Sequence, residues 1–164
     1  DSNNKTLSLN MMSGLIIAIL VVAVIVLIMF RSWRIALISL VPNILPLMVI
    51  GGVMGLTGID LKVSTSIIFG IAFGISVDDS IHYLSKYRME LKKGRKPLWA
   101  LRRTSLSTGK AIILTSLILC SGFLALATSD FTSTFYVGVL ISVTLLVAVL
   151  TDLLLLPILL LKKP

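Results

Sequence analysis

The sequence predicts an all-α fold: a polytopic membrane bundle of five transmembrane helices. Three observations carry this. The 164 residues are 57% hydrophobic and only 13% charged, with a mean hydropathy of +1.06, against about 45–50% and about 25% for a soluble domain. The apolar residues fall into five blocks, each close to the roughly 20 residues that cross a hydrocarbon core. Period-2 alternation, the mark of a half-buried strand, is absent. This composition excludes a disordered chain and a cytosolic enzyme core. Cys120 is the only cysteine, which excludes an intrachain disulfide framework.

The first span, about residues 11–30, is an unbroken apolar run. It exceeds the 7–15-residue core of a signal peptide and has its basic residues on the wrong flank, so it is a retained helix. The second, 35–56, is interrupted by Pro42, Asn43 and Pro46. The two prolines lack an N–H, and are expected to kink the helix and free carbonyls. The third, 63–84, is apolar until Asp78. The fourth, 111–127, is shorter and carries Thr115, Ser116 and Ser121. The fifth, 135–161, is long enough to span with tilt and holds Asp152, with Pro157 expected to bend it just beyond.

Orientation follows from the basic residues. If Arg31 and Arg34 lie inside, alternation places Lys86–Lys110 and Lys162–Lys163 there too. That side holds 13 of the 15 lysines and arginines, leaving Lys5 and Lys62 outside. The N-terminus is then outside and the C-terminus cytoplasmic. Such a start normally follows an earlier span, which predicts a piece of a longer chain. The net charge of +8 is a topology signal, and no nucleic-acid partner is expected. Residues 85–107 form a basic cytoplasmic segment. Its Leu98, Trp99 and Leu101 among Lys96, Arg102 and Arg103 suit an amphipathic helix at the inner headgroups, anchored by Trp99; the alternative is a solvated basic loop, and from sequence the segment supports only general attraction to anionic lipids.

The chemistry concentrates on three acids within spans, Asp78, Asp79 and Asp152. A charge at the bilayer centre costs about 3 kcal/mol or more, so intramembrane acids are functional by default. At 1.5 Å per residue, Asp78 lies about 12 Å and Asp152 about 15 Å from the basic boundary. The third and fifth spans run in the same direction, so the two acids share a depth, and Thr115 and Ser116 are close enough to join one polar layer. Two adjacent carboxylates in a low dielectric repel, so at least one of Asp78 and Asp79 is expected to hold a proton at neutral pH. His82, four residues from Asp78 and three from Asp79, is placed to pass protons on. The structural alternative for it is an ordinary histidine near a helix end. Gly70, Gly74 and Asp78 recur every four residues, a stripe that admits a close helix and delivers Asp78 to it; Gly51 and Gly55 repeat the device. With one histidine and one cysteine on separate spans, no metal site is expected.

At these residues the sequence resembles the resistance-nodulation-division (RND) superfamily. Gly74-Ile75-Ser76-Val77-Asp78-Asp79 is similar to its GxxxDD motif, and Phe69–Arg88 is similar to the fourth or tenth helix of its MMPL-like, Patched-related (sterol-sensing-domain-like) exporters. Pro42–Pro46, Thr115–Phe123 and Asp152–Pro157 resemble the neighbouring helices, in the right order. The resemblance implies one half of a two-half transporter, the C-terminal half by its Asp-Asp-Ser-Ile-His form, with residues 1–10 the end of a porter domain and 11–164 the membrane module. It further implies proton-motive-force-driven export of hydrophobic or amphiphilic substrates such as lipids, by antiport rather than enzymatic catalysis, with Asp78 and Asp79 carrying protons and Asp152 a weaker match. No cofactor beyond the coupling proton is expected, so no catalytic residue is assigned. The implied partners are membrane lipids, the substrate, the other half with its porter domains, and further copies in a homo-oligomer; the implied location is the bacterial cytoplasmic (inner) membrane.

Two other functions compete. A sterol- or lipid-sensing module would share the fold without pumping. An intramembrane aspartyl protease would use Asp79 and Asp152 as its dyad, but the sequence before Asp78 lacks the GxGD form such enzymes use.

Overall fold

The computed structural model describes the backbone of residues 2–59 and 63–161, and the side chains of 13–59 and 65–161. The side chains of the tail expected over residues 1–10 lie outside the described residues, as do Lys62 and Lys162–Lys163. Seven α-helices follow in chain order: α1 Ser2–Phe30, α2 Trp33–Thr57, α3 Val63–Lys92, α4 Pro97–Thr104, α5 Lys110–Leu124, α6 Thr132–Leu150 and α7 Leu156–Leu161. There is no strand among the described residues. A π turn, Ser105–Gly109, joins α4 to α5, and another, Thr151–Leu155, joins α6 to α7. Five helical stretches are long and apolar enough to cross a membrane: Ser13–Phe30, Trp33–Thr57, Thr65–Lys92, Pro97–Thr128 and Thr132–Leu161.

The third stretch runs about two turns past the expected limit at residue 84. The fourth begins well before residue 111, because α4 continues through its π turn into α5. The expected interfacial segment 85–107 is thus the end of α3, a short link and α4. Gly94 makes the link's sharp turn at φ +75°, where an L side chain is strained. Gly58 closes α2 in the same way, its N–H returning to the Met54 carbonyl.

α3 is the central helix, packed against α1, α2, α4 and α6; α6 also packs against α2 and α5. Three clusters of buried side chains fill the interior. One lies at the basic end around Tyr83, Leu84 and Leu156, a second joins Ile50 and Ile68 to Ile141 and Leu145, and a third holds Leu47, Ala72 and Phe73 between α2, α3 and α1. Large apolar side chains are exposed along α1 and α5, including Ile17, Leu20, Leu114 and Ile118. In lipid this is the favourable arrangement, and interior contacts rely on close packing and hydrogen bonds instead. Gly138 shows the close packing. A methyl group there would meet the Phe123 carbonyl oxygen at 2.6 Å and the Leu126 Cβ at 2.9 Å.

The two prolines of α2 are accommodated within one helix. Pro46 has no N–H to offer the carbonyl four residues back, which is that of Pro42. The Thr151 hydroxyl stands 3.2 Å from that oxygen, but its single proton is shared with the Ala148 and Val147 carbonyls of its own helix, at 2.8 and 3.1 Å. Pro157 acts on the last span in the same manner. It cannot bond the Leu153 carbonyl, and the helix widens into a π turn over Thr151–Leu155, one turn before it.

Candidate functional site

The site is built where α2, α3 and the π turn after α6 meet. Asp152 sits in that turn and is fully buried. Its Oδ1 accepts from the Ser80 hydroxyl at 2.6 Å. Ser80 also stands 3.3 Å from Asn43 Oδ1, which accepts from Ser76 at 2.7 Å. The Asn43 amide nitrogen donates to the Ser39 carbonyl at 2.5 Å, which fixes the orientation of the amide. Ser76, Asn43, Ser80 and Asp152 thus form a continuous polar chain across three elements. All four are buried, where a hydrogen bond left unmade costs more than one made contributes.

A serine hydroxyl carries one proton, so Ser80 donates to either Asp152 or Asn43. The shorter separation favours Asp152. If Asp152 is protonated, it donates to Ser80, and the Ser80 proton is released to Asn43. The charge state of a carboxyl on the last span is thereby linked to a hydrogen bond between α2 and α3. Asp152 Oδ2 is buried without a hydrogen-bond partner among the described residues, and an unpaired oxygen on a buried carboxylate is costly while it is charged.

Asp79 is buried and lies within electrostatic reach of Asp78, His82 and Asp152. Asp78 is far more exposed. Its side chain is 72% exposed and meets His82 Nε2 at 3.5 Å, with the imidazole 68% exposed. Asp78, Asp79 and His82 line a cavity of about 900 Å³ between α3 and α5, together with Lys86, Ser107 and Thr115. The adjacent acids both line the cavity but differ in exposure: Asp78 is largely open to it, and Asp79 is buried, within electrostatic reach of Asp152.

Of the two hydroxyls expected in the polar layer, Thr115 reaches the cavity. Ser116 is buried on another side of α5, its Oγ without a hydrogen-bond partner among the described residues. Asn43 was expected as part of a kink and is the centre of the polar chain. Gly70 and Gly74 are exposed, and a methyl group on either would meet nothing within 4 Å. The stripe leading to Asp78 is thus open among the described residues. No group of three or more histidine, cysteine, aspartate or glutamate side chains that would hold a metal occurs among them.

Ser76, Ser80 and Thr151 carry no signal that singles them out alone. Their cue is spacing: Ser76 and Ser80 stand four apart on α3, as do Ser39 and Asn43 on α2, so each pair shares a helix face. Glu90 was missed as well. It is buried at the end of α3 beside Lys86, Lys93, Arg95 and Arg103.

Residues 3–162 match the family model described as the MMPL family. A curated relative from Methanocaldococcus jannaschii, named only as a membrane protein, is 31% identical over 105 residues, which are 64% of this chain and 27% of the relative. The chain thus matches about a quarter of that relative's length.

Proposed function

Because the chain belongs to the MMPL family, we propose that it is the membrane module of a proton-driven exporter of hydrophobic or amphiphilic substrates, lipids among them. Asp79 is the central proton-carrying group, Asp78 and His82 exchange protons with the cavity, and Asp152 responds from the last span. The observation that carries this reading is the contrast between two adjacent acids. Both line a cavity of about 900 Å³, but Asp78 is exposed there while Asp79 is buried within electrostatic reach of a carboxyl held by Ser80.

The cycle is an alternation of access. A proton enters from the cavity by way of His82 and Asp78, and neutralises Asp79. Charge repulsion between Asp79 and Asp152 then falls, and the helices carrying them repack. A proton crossing 100 mV supplies about 2.3 kcal/mol, enough to bias two helix arrangements of similar stability. The open stripe of Gly70, Gly74 and Asp78 fits a close-packing helix from the other half of the transporter. The porter domains, further copies of the assembly and a location in the bacterial inner membrane complete the proposal.

The test is made in the full-length transporter in intact cells. Asp78→Asn and Asp79→Asn are each expected to abolish export while membrane insertion is retained. Undiminished export by the double variant defeats the proposal. Efflux that ignores collapse of the proton gradient would favour a lipid-sensing role.

A further inference from the structure

A second site stands apart from the acids, where α3 turns into α4. Glu90 is buried with four cations around it: Lys86 at 3.8 Å, Lys93 at 3.4 Å, Arg103 at 3.7 Å and Arg95 in direct contact. One carboxylate cannot neutralise four cations, and the exposed Lys92, Lys96 and Arg102 add to the excess. The arginines are also held from a second side. The Arg95 and Arg103 guanidiniums lie 4.8 and 5.8 Å from the centre of the Trp99 ring. Glu90 and Trp99 therefore fix two guanidiniums before any ligand arrives, which lowers the ordering cost of binding.

Arg95, Lys96 and Trp99 line a shallow, open depression of about 290 Å³. Trp99 is 51% exposed, and Leu98 next to it in α4 and Leu106 in the π turn that follows are exposed apolar side chains on the same segment. Arg95 and Lys96 lie in the link between two stretches long and apolar enough to span, and Trp99 and Arg103 in the first turns of the second, a position that suits the boundary between headgroups and hydrocarbon. A ligand that answers all of these features carries an anionic phosphate for the guanidiniums and acyl chains for the apolar rim. Free phosphate would leave the rim unused.

We propose that Arg95, Lys96, Arg103 and Trp99 form a binding site for the phosphate of an anionic phospholipid, with Glu90 as the positioning residue that orients the two arginines. The site does not depend on proton transfer by the intramembrane acids, and it tethers the end of α3, the helix that carries them.

The test is native mass spectrometry of the chain in detergent, titrated with phosphatidylglycerol or with phosphatidylcholine of the same acyl chains. The wild type is expected to retain phosphatidylglycerol in clear excess. Arg95→Ala is expected to weaken that retention roughly fivefold, the effect of about one basic contact near a membrane surface. Trp99→Leu leaves the charge unchanged and is expected to weaken it several-fold. Glu90→Gln makes the cluster more positive, so diffuse attraction would strengthen retention, whereas a positioned site weakens it. Equal retention of the two lipids overturns the proposal. So does unchanged retention in both Arg95→Ala and Trp99→Leu, or stronger retention in Glu90→Gln. Displacement by glycerol phosphate at matched concentration would identify a soluble-phosphate site and also overturn it. If Glu90→Gln does not fold, the other two variants decide, because their side chains lie at the surface or only half-buried.

Discussion

Replacing Asn43 by alanine tests whether the polar chain holds α2 to α3. The amide oxygen is the shared acceptor for Ser76 at 2.7 Å and Ser80 at 3.3 Å. Hydrogen bonds between membrane helices average about 0.6 kcal/mol and reach about 1.7 kcal/mol. The Ser80 bond is long, and that hydroxyl keeps Asp152 as an acceptor, so most of the loss falls on Ser76. With a small contribution from the space left by the amide, Asn43→Ala is expected to cost about 1–2 kcal/mol. The decisive quantity is the coupling. Asn43→Ala combined with Ser76→Ala in a double-mutant cycle is expected to give about 0.6–1.7 kcal/mol, and Asn43→Ala with Ser80→Ala a smaller value. The assay is reversible unfolding in mixed micelles, titrated with dodecyl sulfate and followed by circular dichroism. Zero coupling between Asn43 and Ser76, or a stronger coupling to Ser80, refutes the reasoning.

Gly138→Ala forces a methyl group within 2.6 Å of the Phe123 carbonyl and is expected to destabilise the module by about 1–3 kcal/mol in the same assay. Gly52→Ala, with open space around it, is expected to be neutral or stabilising. Thr151→Val removes a hydroxyl shared among the Ala148, Val147 and Pro42 carbonyls and is expected to cost at most about 1 kcal/mol; in a Pro46→Ala background, where residue 46 offers its own N–H to the Pro42 carbonyl, the part of that cost due to Pro42 is expected to vanish. Asp152→Asn preserves shape and an acceptor for Ser80, so the module is expected to retain or gain stability, while export by the full transporter is lost.

The five spans and the acids within them were legible from sequence. Lipid imposes a length and an apolar composition on every crossing segment, and a carboxyl in such a segment stands out from its surroundings. The carbonyl freed by Pro46 was foreseeable on the same terms, since it follows from the missing N–H four residues on. The hydroxyl that approaches it was not: Thr151 is 109 residues away from Pro42 along the chain, and no local rule brings them together. The same holds for Asn43, which reads locally as a residue between two prolines and becomes the acceptor for two serines only when α2 lies against α3. Helix ends at the basic boundary were placed too early, because α3 and α4 continue as helices beyond the apolar core, where composition no longer marks them.

The sequence by itself determined that this chain crosses the membrane five times and that it carries acids there, because the bilayer charges a free-energy cost to each residue in place. Only the tertiary structure decided that Asp79 is buried and Asp78 exposed at one cavity, that Ser80 links Asp152 to Asn43, and that Glu90 gathers four cations. Those relations depend on the rotation of each helix about its axis and on which neighbour it meets. Both are set by packing of small residues such as Gly138 and by hydrogen bonds between residues distant in sequence.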